Sequence, residues 1–337
     1  MKYLNLTLLI ILVSTSLLVA QDKTATTGPA FLSIPSNARG TAMGGAFTAI
    51  SDDENSLFWN PGGLAQVKRN IASFSNTTAF VDTRYQDFSA AFYLGTNGTV
   101  GIKAMILNYG DIDVTTINNP EGTGERINPM DISMSVTYSR YLTTAFSFGI
   151  TGKYVNQRIS SSEANGVGVD LGILYKSDFK NLRIGMSITN FGTDMQMMGD
   201  DLTQAIDIDA DNNGNNNRLG GYLNTNQWPM PLNFRVGLAM DVLESKFNKL
   251  TLAIDAKHPS DNSEALDLGF EYGFRNMIFL RGGYRNLLTS IPSDGGVTAG
   301  FGLNYDLNSV NSIRIGYSFQ HHKYLQSPQI WTLAVTF

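Results

Sequence analysis

The stretch "VTAGFGLNYD", Val297 to Asp306, sets Val297, Ala299, Phe301, Leu303 and Tyr305 on one side and Thr298, Gly300, Gly302, Asn304 and Asp306 on the other. A period of two is the signature of a β-strand with two unlike faces. One face here is apolar and aromatic throughout. The other is small and polar. "ALDLGFEYG" (Ala265 to Gly273), "NFRVGLAMD" (Asn233 to Asp241) and "SIRIGYSFQ" (Ser312 to Gln320) repeat the pattern. After Ile71 no stretch carries a comparable helical period.

About fourteen such segments follow Ile71. They centre near Ser75, Ala91, Ala104, Ser135, Ile150, Leu171, Met186, Val236, Ala253, Leu268, Leu280, Phe301, Ile315 and Ala334. Many run to about ten residues, which is what a tilted strand needs to cross a bilayer. Most connections carry turn residues, such as "GTNG" at Gly95 and "DFKN" at Asp178. Two are longer: Asp111 to Pro129 and Thr193 to Met230. Short turns on one side and long loops on the other suit an outer-membrane barrel. The polar face carries single charges of both signs: Lys103, Lys153, Asp170, Arg183, Arg235, Asp255, Asp267, Glu271, Arg281, Arg285 and Arg314. In a β-sandwich or solenoid the outer faces would carry many more charges. In a barrel these charges pair across a wet lumen, where glycines leave room for side chains of the opposite wall. The expected fold is therefore all-β, a closed antiparallel transmembrane barrel of about fourteen strands over residues 71–337.

Composition agrees. Of the 337 residues only 16% are charged, against roughly 25% in an ordinary soluble domain, while Gly (33), Phe (19) and Tyr (14) are abundant. The formal net charge is −5, and the 24 Lys and Arg form no basic cluster, so no nucleic-acid partner is expected. There is no Cys, which excludes disulfides, thiol chemistry and a lipid-anchored cysteine. Lys2 followed by "LNLTLLIILVSTSLLVA" reads as a signal peptide over residues 1–20, cleaved after Ala20. The run is short for a helical span, which needs about 20 apolar residues. The last segment, "QIWTLAVTF", puts Trp331, Leu333, Val335 and Phe337 on one face and ends the chain on an aromatic. That resembles the closing strand of bacterial outer-membrane barrels, whose pairing with the first strand leaves no edge in lipid. The expected location is the outer membrane of a Gram-negative cell, in contact with its lipid.

Residues 21–70 break the alternation. "DENSLFWNPGGLA", Asp53 to Ala65, holds Gly turns but no G-x-x-x-x-G-K-[ST], so it is not a phosphate loop. Its small residues with Phe47, Leu57, Phe58 and Trp59 suggest one or two short helices ending at the Asn60-Pro61 turn. A compact apolar piece ahead of a barrel belongs in its lumen, as a plug or hatch.

The run "PSNARGTAMGGAFTAISDDENSLFWNPGGLAQ" resembles the N-terminal signature of the PorV/PorQ family and, more distantly, of FadL-type transporters. The residues that carry the likeness are Ala38, Arg39, Met43, Gly44, Gly45, Asp52, Asp53, Trp59, Asn60, Pro61 and Gly62. They span about a tenth of the chain, and Gly62 stands where Ala is common. "PAFLSIP", Pro29 to Pro35, is closer to PorV than to PorQ. The resemblance implies a FadL-like barrel and a non-enzymatic part in type IX secretion. It implies as partners the translocon and the C-terminal domains of cargo proteins, bound or shuttled at the extracellular loops. The alternative it carries is transport of a hydrophobic small molecule.

Candidate sites follow. Arg39, Gly44, Gly45, Trp59, Asn60, Pro61 and Gly62 form the plug motif, and Phe47, Phe58 and Trp59 are candidate contacts for a hydrophobic ligand. Asp209, Asp211 and Asn213, with Gly214, match the first half of a calcium loop, and Asp207 is a candidate for an added carboxylate ligand. Position twelve is Gly220 where a Glu is expected, so Ca²⁺ in Asp207–Asn217 would need ligands from elsewhere; the bland reading is a solvated Asn-rich loop. No cofactor is required and no catalytic constellation stands out: of three histidines, His321 and His322 are adjacent and so project to opposite faces of an extended chain.

Overall fold

The computed structural model describes residues 26–78, 83–206, 219–289, 295–308, 310–324 and 326–337. The expected leader 1–20 and the acidic positions Asp207, Asp209, Asp211 and Asn213 lie outside the described residues.

Fourteen long antiparallel strands form one meander: β1 (Ile71–Thr78), β2 (Arg84–Tyr93), β3 (Thr99–Asn108), β4 (Met130–Tyr141), β5 (Phe146–Ile159), β6 (Ser162–Lys176) and β7 (Arg183–Gly192), then β8 (Asn233–Glu244), β9 (Asn248–Pro259), β10 (Ala265–Phe274), β11 (Ile278–Leu287), β12 (Gly296–Asp306), β13 (Ser312–Gln320) and β14 (Gln329–Thr336). Each pairs with the next in sequence. The final strand pairs with the first, from Ile71 opposite Thr336 to Thr78 opposite Gln329, so the sheet closes. Every segment centre read from the sequence falls inside one of these strands. Closure is what lets a sheet stand in lipid, since no unpaired N–H or C=O row is left.

The two ends differ. At one end six turns of three to six residues join the strands; we name this the turn end. At the other, the loop end, lie 109–129 between β3 and β4 and 193–232 between β7 and β8, the two long connections expected. The wall alternates as the sequence demanded. On β10, Asp267 and Glu271 point inward and are buried, while Leu268 and Phe270 are exposed on the outside. Val136, Leu238, Leu280, Val297 and Leu333 are exposed in the same way. So continuous an apolar belt has no water-compatible reading. Tyr93, Tyr175, Phe179, Phe247, Phe274 and Phe337 stand exposed at the turn end, the interfacial aromatic girdle of a membrane barrel. Phe301, Tyr317 and Trp331 stack across β12, β13 and β14 with centroids 4.7–6.4 Å apart.

Residues 26–70 carry only short helical pieces: Ala30–Ser33, α1 (Ala38–Ala42), α2 (Ser56–Trp59) and Pro61–Gln66. Pieces this short are not stable alone. They are held by what surrounds them, and what surrounds them is the inward face of the wall.

Candidate functional site

The hatch meets the wall backbone to backbone. A Cβ on Gly149 would lie 2.2 Å from Pro61 O, one on Gly185 2.3 Å from Thr48 O, one on Gly269 2.3 Å from Met43 O, and one on Gly283 2.5 Å from Gly44 N. Gly101, Gly172, Gly237, Gly300 and Gly316 make similar approaches to Leu57, Asn60, Ala49, Ala42 and Ala38. The inward glycines thus form a belt round the hatch. The sequence suggested they make room for side chains of the opposite wall; the hatch itself fills that room.

Serines, threonines and an aspartate of the wall then satisfy the hatch's backbone groups, which have no sheet or long helix of their own. Ser187 donates to Trp59 O (2.9 Å), Ser147 to Gly62 O (2.7 Å), Thr298 to Ala42 O (2.9 Å) and Thr99 to Val67 O (3.0 Å). Thr332 accepts from Ala38 N, and Asp255 accepts from both Phe47 N (3.0 Å) and Thr48 N (2.8 Å).

Each residue of the plug motif has a place in this arrangement. Asn60 donates to Thr48 O (2.8 Å) and Ile173 O (2.9 Å) and accepts from Gly62 N (3.0 Å), so one side chain ties two hatch segments to β6. It also caps the Pro61–Gln66 turn, which Pro61 starts at its first position. Gly44 (φ +70°) and Gly45 (φ +91°) make a left-handed turn pressed on the β10–β11 wall. A Cβ on Gly44 would sit 2.6 Å from Leu268 O. Trp59 is buried between Phe47 and Phe58, at centroid distances of 6.2 and 5.0 Å.

Arg39 is the ionic hub. Its Nε and Nη2 donate to the two oxygens of Glu271, each at 2.8 Å, and Nη1 reaches Asp52 (2.5 Å) and Asp53 (2.7 Å). The fork onto Glu271 is the geometry that suits arginine and not lysine. Arg281 pairs with Glu271 at 2.6 Å, and Arg314 bonds Glu54 and reaches Asp53 at 3.3 Å. Burial pushes the Asp53 carboxyl up, but Arg39 and Arg314 outweigh it and hold the group below its ordinary value. Burial dominates at Glu54 and holds that carboxyl above the ordinary value despite Arg314. This network lines a cavity of about 300 Å³ at the turn end.

On the other side of the hatch a cavity of about 540 Å³ opens at the loop end. Phe31, Ile34, Tyr85, Leu107 and Ile330 line it with Asn233, Arg235, Lys257 and Arg285. Phe47 and Trp59 line none of these cavities, and Phe58 only a space of about 20 Å³. The aromatics expected at a ligand are instead the floor under Arg235, whose guanidinium lies 4.6 Å from the Trp59 ring and 5.9 Å from Phe58. The alternation marks Arg235 and Arg285 only as lumen charges and does not single out Lys257. Their shared cavity depends on where residues 30–35 fold, which no local pattern encodes.

The chain starts its described course at the loop end: Gly28 N donates to Pro229 O (3.2 Å) and Thr27 to Asp261 (2.6 Å). Loop 193–232 has a fixed base, with Met195 and Met230 buried against Phe31, Leu32 and Tyr85. Beyond the base, Thr203–Ile206 pairs with Leu219–Tyr222, and Ile206, Leu219, Tyr222 and Leu223 are exposed. Among the described residues no His, Asp and Glu cluster has the form of a metal site.

The family model described as type IX secretion system protein PorV matches residues 18–258. No match was found among curated proteins. Among solved structures the chain is similar to the CymD monoaromatic hydrocarbon channel (12% identity, 89% of this chain and 97% of that one, TM-score 0.58). It is also similar to the Pseudomonas putida toluene transporter TodX (13%, 94% and 99%, 0.58) and to a Pseudomonas aeruginosa FadL homologue (13%, 90% and 98%, 0.56). At such identities these likenesses show a shared fold: the FadL-like fourteen-stranded barrel.

Proposed function

This chain belongs to the type IX secretion system protein PorV family, and from that premise we propose that it works in the outer membrane as a non-enzymatic carrier. In this reading cargo is bound by its C-terminal signal domain at the loop end, the extracellular side. The barrel serves as membrane anchor and platform, and protein does not pass through it. One observation carries this: the hatch is stapled around the wall by glycine contacts, hydrogen bonds and the Arg39 network, while the paired strands Thr203–Ile206 and Leu219–Tyr222 present Ile206, Leu219 and Tyr222 to solvent beyond the buried base at Met195 and Met230. A fixed base under an exposed hairpin suits the display of a docking surface.

The test is a Leu219→Asp/Tyr222→Asp double variant. Neither residue lies in the fourteen wall strands, and the Tyr222 hydroxyl accepts from Gly199 N within the same loop (2.9 Å), so the barrel should assemble at wild-type level. Cargo proteins should then accumulate in the periplasm and fail to reach the surface. Normal export with an assembled variant contradicts docking at this hairpin.

A second reading has its own support. The loop-end cavity is large enough for a small molecule, and two of the structural neighbours are titled as hydrocarbon channels or transporters. Uptake of an apolar compound predicts a growth defect on that compound as carbon source, with export intact.

A further inference from the structure

The turn end carries a cationic patch that neither the hatch nor the loops account for. The β10–β11 connection is a two-residue turn, closed by Met277 N donating to Phe274 O (3.0 Å), with Arg275 at φ +54° and Asn276 at φ +55°. Positive φ at both central positions favours Asn, Asp and Gly, and an arginine bears strain there. Strain held at one residue points to a use for its side chain. Arg275 N also donates to Phe247 O (2.6 Å), which joins this turn to the β8–β9 turn beside it. The side chains of the two turns meet as well. The Arg275 guanidinium lies 5.2 Å from the Phe247 ring centroid and 5.3 Å from that of Phe274, and the Lys246 ammonium lies 5.5 Å from that of Phe247. Two like charges are thus gathered at one aromatic ring.

Both cations are exposed, and among the described residues neither is ion-paired. The carboxylates near them are taken: Asp241 by Arg183 and Lys249, and Glu271 by Arg39 and Arg281. Glu244 stands across the ladder from Lys249. Phe247 and Phe274 belong to the turn-end girdle, with Leu243 and Ile278 exposed to lipid beside them. Each cation is one residue from a girdle ring and so lies at head-group depth. Charge is also sorted between the two ends. Lys176 and Lys180, against Asp178, continue the patch along the neighbouring β6–β7 turn, whereas Asp111, Glu121, Glu125, Asp200 and Asp201 are exposed at the loop end.

We propose that Lys246 and Arg275 form a binding site for the phosphate of an anionic phospholipid in the leaflet at the turn end, with an acyl chain of that lipid against Leu243, Phe274 and Ile278. A guanidinium held over a ring keeps its N–H edge for two phosphate oxygens, and the ammonium adds a point charge. The rings hold both cations before the lipid arrives, which reduces the ordering cost of binding. Head-group depth favours a lipid over a periplasmic polymer, which would meet the turns from the aqueous side. That this leaflet is the inner one rests on the reading of the loop end as extracellular; the binding itself is measured in micelles, where neither orientation nor cargo export enters.

The test uses the full chain in dodecyl maltoside micelles and native mass spectrometry, which counts bound lipids. Palmitoyl-oleoyl-phosphatidylglycerol is expected to bind about tenfold or more tightly than phosphatidylcholine with the same chains. Arg275→Asn suits the backbone of its turn, so it should keep the heat-shifted gel mobility of the folded barrel while cutting phosphatidylglycerol affinity about fivefold, the scale of one basic residue at an anionic surface. Lys246→Gln should do the same, and carries the test should Arg275→Asn fail to assemble. Arg140→Gln removes an exposed turn-end cation on β4, away from the patch, and should leave the preference unchanged. Equal affinity for the two lipids, full phosphatidylglycerol affinity in both patch variants, or an equal loss in Arg140→Gln overturns the proposal. So does equal lipid affinity together with retention on peptidoglycan sacculi that both patch variants lose, which would give the patch to the cell wall.

Discussion

At the scale of single residues the plug motif is a set of joints between distant parts of the chain. Asn60 makes three hydrogen bonds with backbone groups, two of them within the hatch and one on β6. Its replacement by Ala strands buried Thr48 O and Ile173 O, at about 1–3 kcal/mol for each group left unpaired. Asn60→Ala should therefore loosen the hatch and raise small-solute conductance in planar bilayers, and wild-type conductance in the variant would contradict the bracket role. Removal of Arg39 leaves Glu271, Asp52 and Asp53 sharing one fewer cation. Breaking such a buried network costs about 3–5 kcal/mol, so Arg39→Met should lower the midpoint of the hatch's protection in hydrogen exchange far more than Lys246→Met at the exposed rim. Gly44 sits at φ +70° with wall backbone 2.6 Å from where a Cβ would be. Gly44→Ala should impair assembly, whereas Gly95→Ala, also at positive φ but in open space, bears only the strain of its turn.

At the scale of elements, the strands were legible because lipid and lumen impose opposite chemistries on alternate residues. Leu268 and Asp267 are neighbours in sequence, yet one is exposed to acyl chains and the other is 2% exposed inside. Leu268→Arg should therefore cost roughly 2–4 kcal/mol if the side chain lies near the midplane, measured as folding into lipid vesicles; wild-type folding would contradict the face assignment. The hatch was legible only as a non-strand apolar segment. Its contacts join positions such as Gly44 with Leu268 and Gly62 with Gly172. Pairings that long-range leave no periodic trace. The glycines show this best: visible at inward positions of "VTAGFGLNYD" and "SIRIGYSFQ", they gave no sign that Gly300 and Gly316 face Ala42 and Ala38 of the hatch.

At the scale of the whole molecule the described residues form a closed wall around a stapled plug, with a cavity on each side of it. The plug motif was readable from the sequence because its residue types are unusual: an Arg, two acidic residues, a Gly pair and Asn-Pro. The surroundings of Arg235 were not, because Phe47, Phe58 and Trp59 look alike as apolar side chains, and only the fold shows Trp59 buried beneath Arg235. The central claim is that the hatch stays in place while the loops do the work. The chain has no native cysteine, and a Cβ on Gly316 would stand 3.3 Å from Ala38 Cβ, close to the roughly 3.8 Å of a disulfide. An Ala38→Cys/Gly316→Cys variant therefore bolts α1 to β13 under oxidising conditions. The decisive measurement is export of cargo by cells carrying this variant, oxidised and reduced. Equal export in both states is expected; export that stops on oxidation and returns on reduction would show that the hatch must move and would contradict the claim.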